Sequence, residues 1–274
     1  MEELEKIQTE IPEEICTIEI DYYGTKLAIG VITGKIYIFE PTNNTMIKTL
    51  EISNHFGPVY NLSWSHPSFG PILASAGFDK KVILYKIDNG RIEEIYSYKN
   101  HDNIVKTLKF CPSSKRLLLI SGCLNGDIVT CEYYNKDFII NKIFAHDYGV
   151  NAIDFLDENT FITCGKDNAI KIWNYSQQDG NVEIKKNGEL KKEELNNMST
   201  YDLSCKDNRH FACCGEVDGE GVVNYFILNN ENWDVKEICR SKQKFEKIKF
   251  NEEHTCIAVI DQKGDENIIF ESEL

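Results

Sequence analysis

Residues 68–87, SFGPILASAGFDKKVILYKI, decide the fold class of this chain. Asp79 lies between two apolar runs, PILASAG at 71–77 and VILYKI at 82–87. A charged residue in that place is either a catalytic acid or a turn residue of a hairpin between two buried strands. Short apolar runs bounded by turn residues are typical of strands, so the rest of the chain must discriminate between the two interpretations.

The same pattern recurs along the chain. Similar stretches lie at 27–40, 118–133, 161–175, 211–228 and 256–272. Each has an apolar run, small residues, a short polar turn and a second, alternating run. The turn positions are Thr33, Asp79, Asn125, Asp167, Asp218 and Asp265. Repeats of about 45 residues with some four strands each are typical of a WD40-type β-propeller. The sequence therefore predicts an all-β, six-bladed propeller as a single domain over 15–274, preceded by an acidic segment, 1–14.

A histidine precedes three of the hairpins, in HFGPVYNLSW from residue 55, HDNIVKTLKF from 101 and HDYGVNAIDF from 146. An imidazole can bridge a carboxylate in a turn and a hydroxyl in the adjacent strand. The predicted structural network comprises His55, Ser75, Asp79 and Tyr85 in the second repeat, His101, Ser121 and Asn125 in the third, where Cys131 takes the aromatic position, and His146, Thr163, Asp167 and Trp173 in the fourth.

A Ser–His–Asp triad would use the same residue types. A triad is one constellation with an oxyanion site, whereas this set recurs in register with the repeats. The recurrence favours a structural role, which makes Asp79 a turn residue. The three remaining histidines, His66, His210 and His254, are isolated, so we expect no enzyme activity and no catalytic residues.

Charge and cysteine content limit the partners. The net charge of −14 predicts no direct contact with nucleic acid, because an acidic surface repels phosphate backbones. The chain starts with an acidic stretch instead of a signal segment, and no apolar run is long enough for a membrane span. The ten cysteines lack zinc-ligand spacing, so we expect reduced thiols that pack as small apolar side chains. No cofactor and no metal are predicted.

DYYGTKLAIG at 21–30 and HFGPVYNLSWSHPSFGPILASAGFDKKVILYKIDNGR at 55–91 resemble the small propeller subunit shared by the COPII outer vesicle coat and the Y-shaped scaffold of the nuclear pore. The resemblance covers nearly the whole chain and is weakest in the last two repeats. It implies an open propeller that an α-solenoid coat subunit or an α-solenoid nucleoporin completes by inserting a seventh blade. It also implies a cytoplasmic scaffold that is peripheral at the ER membrane and COPII vesicles, or lies in the nuclear pore complex.

An open propeller exposes strands at both ends of the chain, and inserted strands would bind by β-augmentation. The predicted partner-binding residues are Ile15, Thr17, Ile18 and Ile20 in the first repeat, and Ile268, Ile269 and Phe270 in the last. The alternative is a ring that closes on six blades, with these residues as ordinary core. We expect a hetero-assembly and no homo-oligomer of this chain by itself.

Two other functions stay open. The chain resembles, less closely, the second open-propeller nucleoporin of the same pore scaffold. A generic WD40 adaptor or substrate-receptor module would bind its partner through the central surface instead of the end blades. The residues also leave open whether the coat, the pore or both use this subunit.

Overall fold

Six antiparallel sheets make up the computed structural model of the chain, which describes residues 11–42, 45–88, 90–230, 232–251, 255–261, 263–264 and 266–270. Four earlier predictions fall outside these ranges: the turn at Asp265, the isolated His254, most of the acidic segment, and the end of the domain after Phe270. The backbone of Phe270 is described, but its side chain is not.

The strands follow one another in chain order within every sheet. Sheets one and two consist of β1 (Ile15–Ile20), β2 (Leu27–Val31), β3 (Ile36–Thr42) and β4 (Thr45–Ile52), then β5 (Val59–Trp64), β6 (Ile72–Gly77), β7 (Val82–Asp88) and β8 (Arg91–Tyr98). Sheets three and four consist of β9 (Val105–Phe110), β10 (Leu118–Cys123), β11 (Asp127–Tyr134) and β12 (Asp137–Phe144), then β13 (Val150–Phe155), β14 (Thr160–Gly165), β15 (Ile170–Gln178) and β16 (Asn181–Leu190).

Sheet five consists of β17 (Ser199–Asp207), β18 (His210–Val217), β19 (Glu220–Asn229) and β20 (Asn232–Ser241). Sheet six has three described strands, β21 (Phe245–Phe250), β22 (Cys256–Asp261) and β23 (Glu266–Phe270). Two short 3-10 helices, Pro67–Phe69 and Lys192–Leu195, lie in connecting loops. The predicted all-β, six-bladed propeller is confirmed.

The hairpin at 72–87 forms as expected, with Ile72 opposite Lys86 and Ala76 opposite Val82. Both strands are largely buried because sheets cover them on either face. The turn needs a left-handed backbone at its third position, where Lys80 has φ 66° and the equivalent Gly126 has φ 93°. At Gly126 a Cβ atom would lie 1.8 Å from the carbonyl oxygen of His146, so this turn requires glycine.

Five hydrophobic cores lie between successive sheets, each with residues from both neighbours. Between sheets one and two, for example, Ile36 and Ile38 pack with Leu73 and Tyr85. The first strand of each sheet lies innermost and packs beside the first strand of the next, from β1 round to β21. Side-chain alternation along the strands thus gives every inner sheet two apolar faces.

The boundary between sheets six and one is different. The apolar cluster on this face of sheet one contains Ile29, Val31, Tyr37 and Phe39, with Ile11, Leu27 and Met46 against it, and no residue of sheet six. An ion pair between Lys249 and Glu19, with Nζ and Oε2 3.3 Å apart, links β21 to β1. Among the described residues, the ring therefore lacks a shared core at one of its six boundaries. We call this boundary the seam.

Candidate functional site: the seam between sheets six and one

The histidine networks hold loops and strands together within the sheets. In sheet two, His55 lies 3.0 Å from Asp79 through Nδ1 and 2.7 Å from the Ser75 hydroxyl through Nε2. The Asp79 carboxylate also accepts backbone N–H groups of Phe56 and Lys81. Burial opposes the ionisation of Asp79, but these hydrogen bonds outweigh it and lower the pKa of the carboxyl group.

Tyr85 takes the aromatic position of this network and is fully buried. Burial raises the pKa of its phenol strongly, so the hydroxyl stays neutral, and it has no hydrogen-bond partner among the described residues. Sheet four repeats the arrangement. His146 bonds to Asp167 and to Thr163, at 2.8 Å in each case. The Trp173 indole N–H donates to the same Thr163 oxygen at 2.9 Å, which completes the chain of hydrogen bonds.

Sheet three is built differently. His101 bonds to the Ser121 hydroxyl at 2.7 Å, but its Nδ1 has no hydrogen-bond partner within the described ranges. The Asn125 amide donates instead to Asp127, at 2.8 Å. The Tyr98 hydroxyl lies 2.9 Å from the Ser121 hydroxyl and supplies the contact that Cys131 cannot make. Tyr98 comes from β8 of the preceding sheet, so a search restricted to matching repeat positions missed it.

The order Ser75–His55–Asp79 has the connectivity of a hydrolase triad, but it has no access to substrate. Ser75 is completely buried, and so is the His55 side chain. Thr163 and His146 are equally buried in sheet four. A nucleophile must reach a reacting atom at about 3 Å, and a closed core leaves no space for one. These residues can stabilise turns and cannot perform acyl transfer.

The seam is apolar on the side of sheet one. Ile15, Ile18 and Ile20 lie opposite Val31, Ile29 and Leu27 in the β1–β2 ladder, so all three point to the seam face. They are 43%, 54% and 44% exposed. Large apolar side chains on the innermost strand of a propeller are expected to be covered by the next sheet. Here the apolar cluster on this face of sheet one contains no described residue of sheet six.

Sheet six presents a matching apolar face. Ile268 lies opposite Ala258 and is 52% exposed, and Ile260 on the same side of β22 is 42% exposed. On the other side, Ile257 and Val259 are fully buried against sheet five. The two faces of sheet six thus differ sharply in burial, although both are apolar.

The seven predicted partner-binding residues differ in the face of the sheet to which they point. Four point into the seam and two point away from it, and the side chain of the seventh is not described. Ile15, Ile18, Ile20 and Ile268 point into the seam. Thr17 lies opposite Gly30, on the side that packs against Val59 of sheet two, and Ile269 belongs to the core between sheets five and six. Phe270 pairs with Cys256 through its backbone. Ile260, which sequence reasoning missed, joins the seam; strand alternation from Ile268 would have identified it.

Residues 11–14, which we call the N-terminal strap, lie against the seam face of sheet one. Ile11 packs on the Tyr37–Phe39 cluster, and the Tyr37 hydroxyl donates to Glu13 at 2.8 Å. The backbone N–H of Ile32 donates to the Glu14 carbonyl at 3.0 Å. Burial and the bond to Glu13 raise the pKa of Tyr37. The strap therefore covers the outer half of a face that no described sheet covers.

All ten cysteines are free thiols in the structure. Across the part of the chain that is described, no three His, Cys, Asp or Glu side chains are placed to hold a metal ion. No helix within the same ranges is long and apolar enough to cross a membrane.

Comparisons with known proteins agree with the fold. A family model described as "WD domain, G-beta repeat" matches residues 92–129 and 139–174. A chain of a crystal structure of the mitotic checkpoint complex superposes with a TM-score of 0.76 over 96% of this chain and 79% of that chain, at 13% identity. At that identity the similarity concerns the fold alone.

Curated relatives are more specific. "Protein SEC13 homolog" of Drosophila melanogaster is 33% identical over 62% of this chain and 54% of its own length. "Protein transport protein SEC13-2" of Candida glabrata is 33% identical over 57% and 59%. "Protein SEC13 homolog" of Caenorhabditis briggsae is 27% identical over 97% and 89%. The chain thus spans little more than half of the fly and Candida relatives and most of the nematode one.

The sheets, their meander topology and the repeat match define a WD40-type β-propeller protein. The curated relatives named above are SEC13 proteins, and the motifs at 21–30 and 55–91 resemble the same family.

Proposed function

We propose that this protein is a non-enzymatic scaffold subunit of the COPII outer coat, the nuclear pore Y-complex or both. In this role it binds an α-solenoid partner whose own three-stranded blade enters the seam. The names of several relatives, "Protein transport protein", support the transport role for those proteins and motivate it here. Attachment to the ER membrane would then be indirect, through the coat.

One observation carries this proposal: among the described residues, five of the six boundaries between sheets have a shared core and the sixth does not. Four isoleucines of the predicted set remain about half exposed there. Fully burying an isoleucine contributes roughly 1.5–3 kcal/mol, so covering the exposed halves of four gives on the order of 4 kcal/mol in favour of an inserted sheet. Main-chain hydrogen bonds between the inserted strands and the strand edges at the seam would fix the register and orientation of the inserted sheet.

The test is a native purification of the full chain from its own cells, with the bound proteins identified by mass spectrometry. Two seam variants, Ile18→Asp and Ile268→Asp, place a charge where an inserted blade would pack. Ile47→Asp is the matched control, because Ile47 is 46% exposed on the outer strand β4, away from the seam. We expect an equimolar helical partner with the wild type and the control, and its loss from both seam variants.

The identity of that partner decides between coat and pore. Recovery of signalling or ubiquitin-ligase components with no helical scaffold protein would support the generic adaptor function. An equimolar helical partner that both seam variants retain would locate the interface elsewhere. Thermal unfolding of each purified variant separates loss of binding from loss of folding.

A further inference from the structure

The two motifs that carry the family resemblance meet at one pocket. The loop after β1, Asp21–Lys26, and the loop after β5, Ser65–Pro71, line a concavity of about 210 Å³ at the boundary of sheets one and two. Its lining includes the aromatic side chains of Trp64, Tyr22 and Tyr23 and the prolines 67 and 71. The pocket lies on the opposite side of sheet one from the seam, so the proposed blade insertion does not use it.

The charged groups in this pocket, and the indole N–H of its tryptophan, already have partners within the protein. The Asp21 carboxylate accepts the backbone N–H groups of Thr25 and Lys26, at 2.6 and 2.8 Å, and the Thr25 hydroxyl at 2.8 Å. The Lys26 ammonium pairs with Glu40. The Trp64 indole N–H donates to the Glu19 carbonyl at 3.3 Å. No free charge therefore remains here to attract an ion or a charged side chain.

Aromatic surface and hydrogen-bond donors remain. Tyr22 and Tyr23 are 64% and 70% exposed and meet edge to face with ring centroids 5.3 Å apart. His66 lies beside Tyr22, with centroids 5.8 Å apart. Its Nδ1 accepts the Ser68 backbone N–H at 3.2 Å, which assigns the ring proton to Nε2. The pocket lining therefore offers two phenol O–H groups, and an imidazole N–H lies beside one of them.

We propose that this pocket binds a proline-rich segment in the polyproline II conformation. Such a segment has no internal hydrogen bonds, so its carbonyl groups need donors, and its prolines carry no N–H that would need an acceptor. Its rings pack between aromatic side chains in grooves of this composition. The pocket is smaller than the roughly 300–1,000 Å³ typical of small-molecule sites, which suits one or two side chains of a peptide.

The test uses two fluorescein-labelled pools of dodecapeptides. One pool has proline at every third position and random residues between, and the other has alanine in place of each proline. Binding to the purified full chain is measured by fluorescence anisotropy. The variants are Tyr22→Ala, Tyr23→Ala and Tyr23→Phe. Tyr148→Ala is the control, because Tyr148 is 65% exposed on the loop between β12 and β13.

We expect the wild type and the control to bind the proline pool and to bind the alanine pool at least tenfold more weakly. Tyr22→Ala and Tyr23→Ala should weaken binding at least tenfold, and Tyr23→Phe less, because the ring is kept. Both positions are exposed, so the thermal midpoint should not change. No binding of the proline pool, equal binding of the alanine pool, or full affinity in both alanine variants would overturn the proposal. The seam variant Ile18→Asp should bind normally, which makes this test independent of the proposed blade insertion.

Discussion

Single side chains fix the turns of this propeller. Asp167 receives hydrogen bonds from His146, from the Lys171 ammonium and from the backbone N–H groups of Asp147 and Ala169. Burial opposes its ionisation, but these donors outweigh it and lower the pKa of the carboxyl group far below its usual range. One carboxylate thus joins the loop before β13 to the turn after β14.

Replacing Asp167 by alanine should lower the free energy of unfolding by about 2–4 kcal/mol. The variant leaves the buried His146 and two backbone donors without an acceptor, and unpaired buried groups are costly. Chemical denaturation measures the change. Asp147→Ala is the control, since the Asp147 side chain is exposed, and it should cost less than about 0.5 kcal/mol. Equal losses in the two variants would assign the effect to net charge.

His101 should make the stability depend on pH. Burial, with Lys142 nearby, lowers its pKa to about 4, while Asp127 and Asp102 act in the opposite direction. In the unfolded chain a histidine titrates near 6.5. The unfolded state therefore binds more protons between these values, so the free energy of unfolding should fall as the pH drops from about 6.5 to about 4, by roughly 3 kcal/mol.

His101→Gln should flatten this part of the stability curve, and His66→Gln, in a surface loop, should not. Denaturation at a series of pH values measures both slopes. The carboxyl groups of Asp79 and Asp167 have lowered pKa values, so the stability they contribute is lost only as the pH falls below about 4. The pH range of their effect therefore lies below that of His101. A wild-type slope unchanged by His101→Gln would contradict the assignment.

The repeat pattern singled out the histidine, hydroxyl and carboxylate positions that the structure brings together in sheets two and four, but the Tyr85 hydroxyl of sheet two has no hydrogen-bond partner among the described residues. The pattern could not predict Tyr98, whose hydroxyl reaches Ser121 from the neighbouring sheet. Nor could it predict that the Asn125 amide donates to Asp127 and does not bond to the His101 imidazole. An uncharged amide binds an imidazole less strongly than a carboxylate does. Contacts across sheets depend on packing that one repeat does not contain.

At the scale of elements, strand alternation decides which side chains face the seam. Ile18 and Thr17 are adjacent in β1, yet one points to the seam and the other packs toward sheet two. The sequence located the strand and its place at the open boundary, but it did not assign the faces. The ladder with β2 assigns them, because residues directly opposite each other share a face.

The N-terminal strap should contribute to stability in the absence of a partner. Ile11→Ser removes the apolar contact with the Tyr37–Phe39 cluster and should cost about 1 kcal/mol, since Ile11 is only partly buried. Ile47→Ser, at a more exposed isoleucine, is the control and should cost less. Thermal denaturation compares them. A midpoint of Ile11→Ser identical to that of the wild type would mean that the strap contacts do not hold in solution.

On the scale of the whole molecule, sheet six is the weakest sheet. It has three described strands where the other sheets have four. Within the described ranges, one of its faces shares a core with a neighbouring sheet and the other does not. Fewer buried contacts lower the free energy of local opening.

Hydrogen exchange followed by mass spectrometry should therefore show faster exchange in β21–β23 than in β13–β16, whose sheet has shared cores on both faces. The expected difference is at least tenfold in the exchange rate of strand amides. Addition of the seam-binding partner should slow exchange in sheet six and in β1 together. Uniform protection across all six sheets of the free protein would indicate that the seam is already covered.

The seam also has a mechanical consequence. A closed ring of sheets resists twisting because shear stress is transmitted across every boundary between sheets. A ring that is interrupted at one boundary can twist into a shallow helical turn, which sets its pitch, without breaking any strand pairing. In this protein the Lys249–Glu19 ion pair joins the two sides within the described chain, and such a pair at the surface contributes no more than about 1 kcal/mol. The free subunit should thus be torsionally compliant, and a blade wedged into the seam would lock its pitch and turn it into a stiff disc.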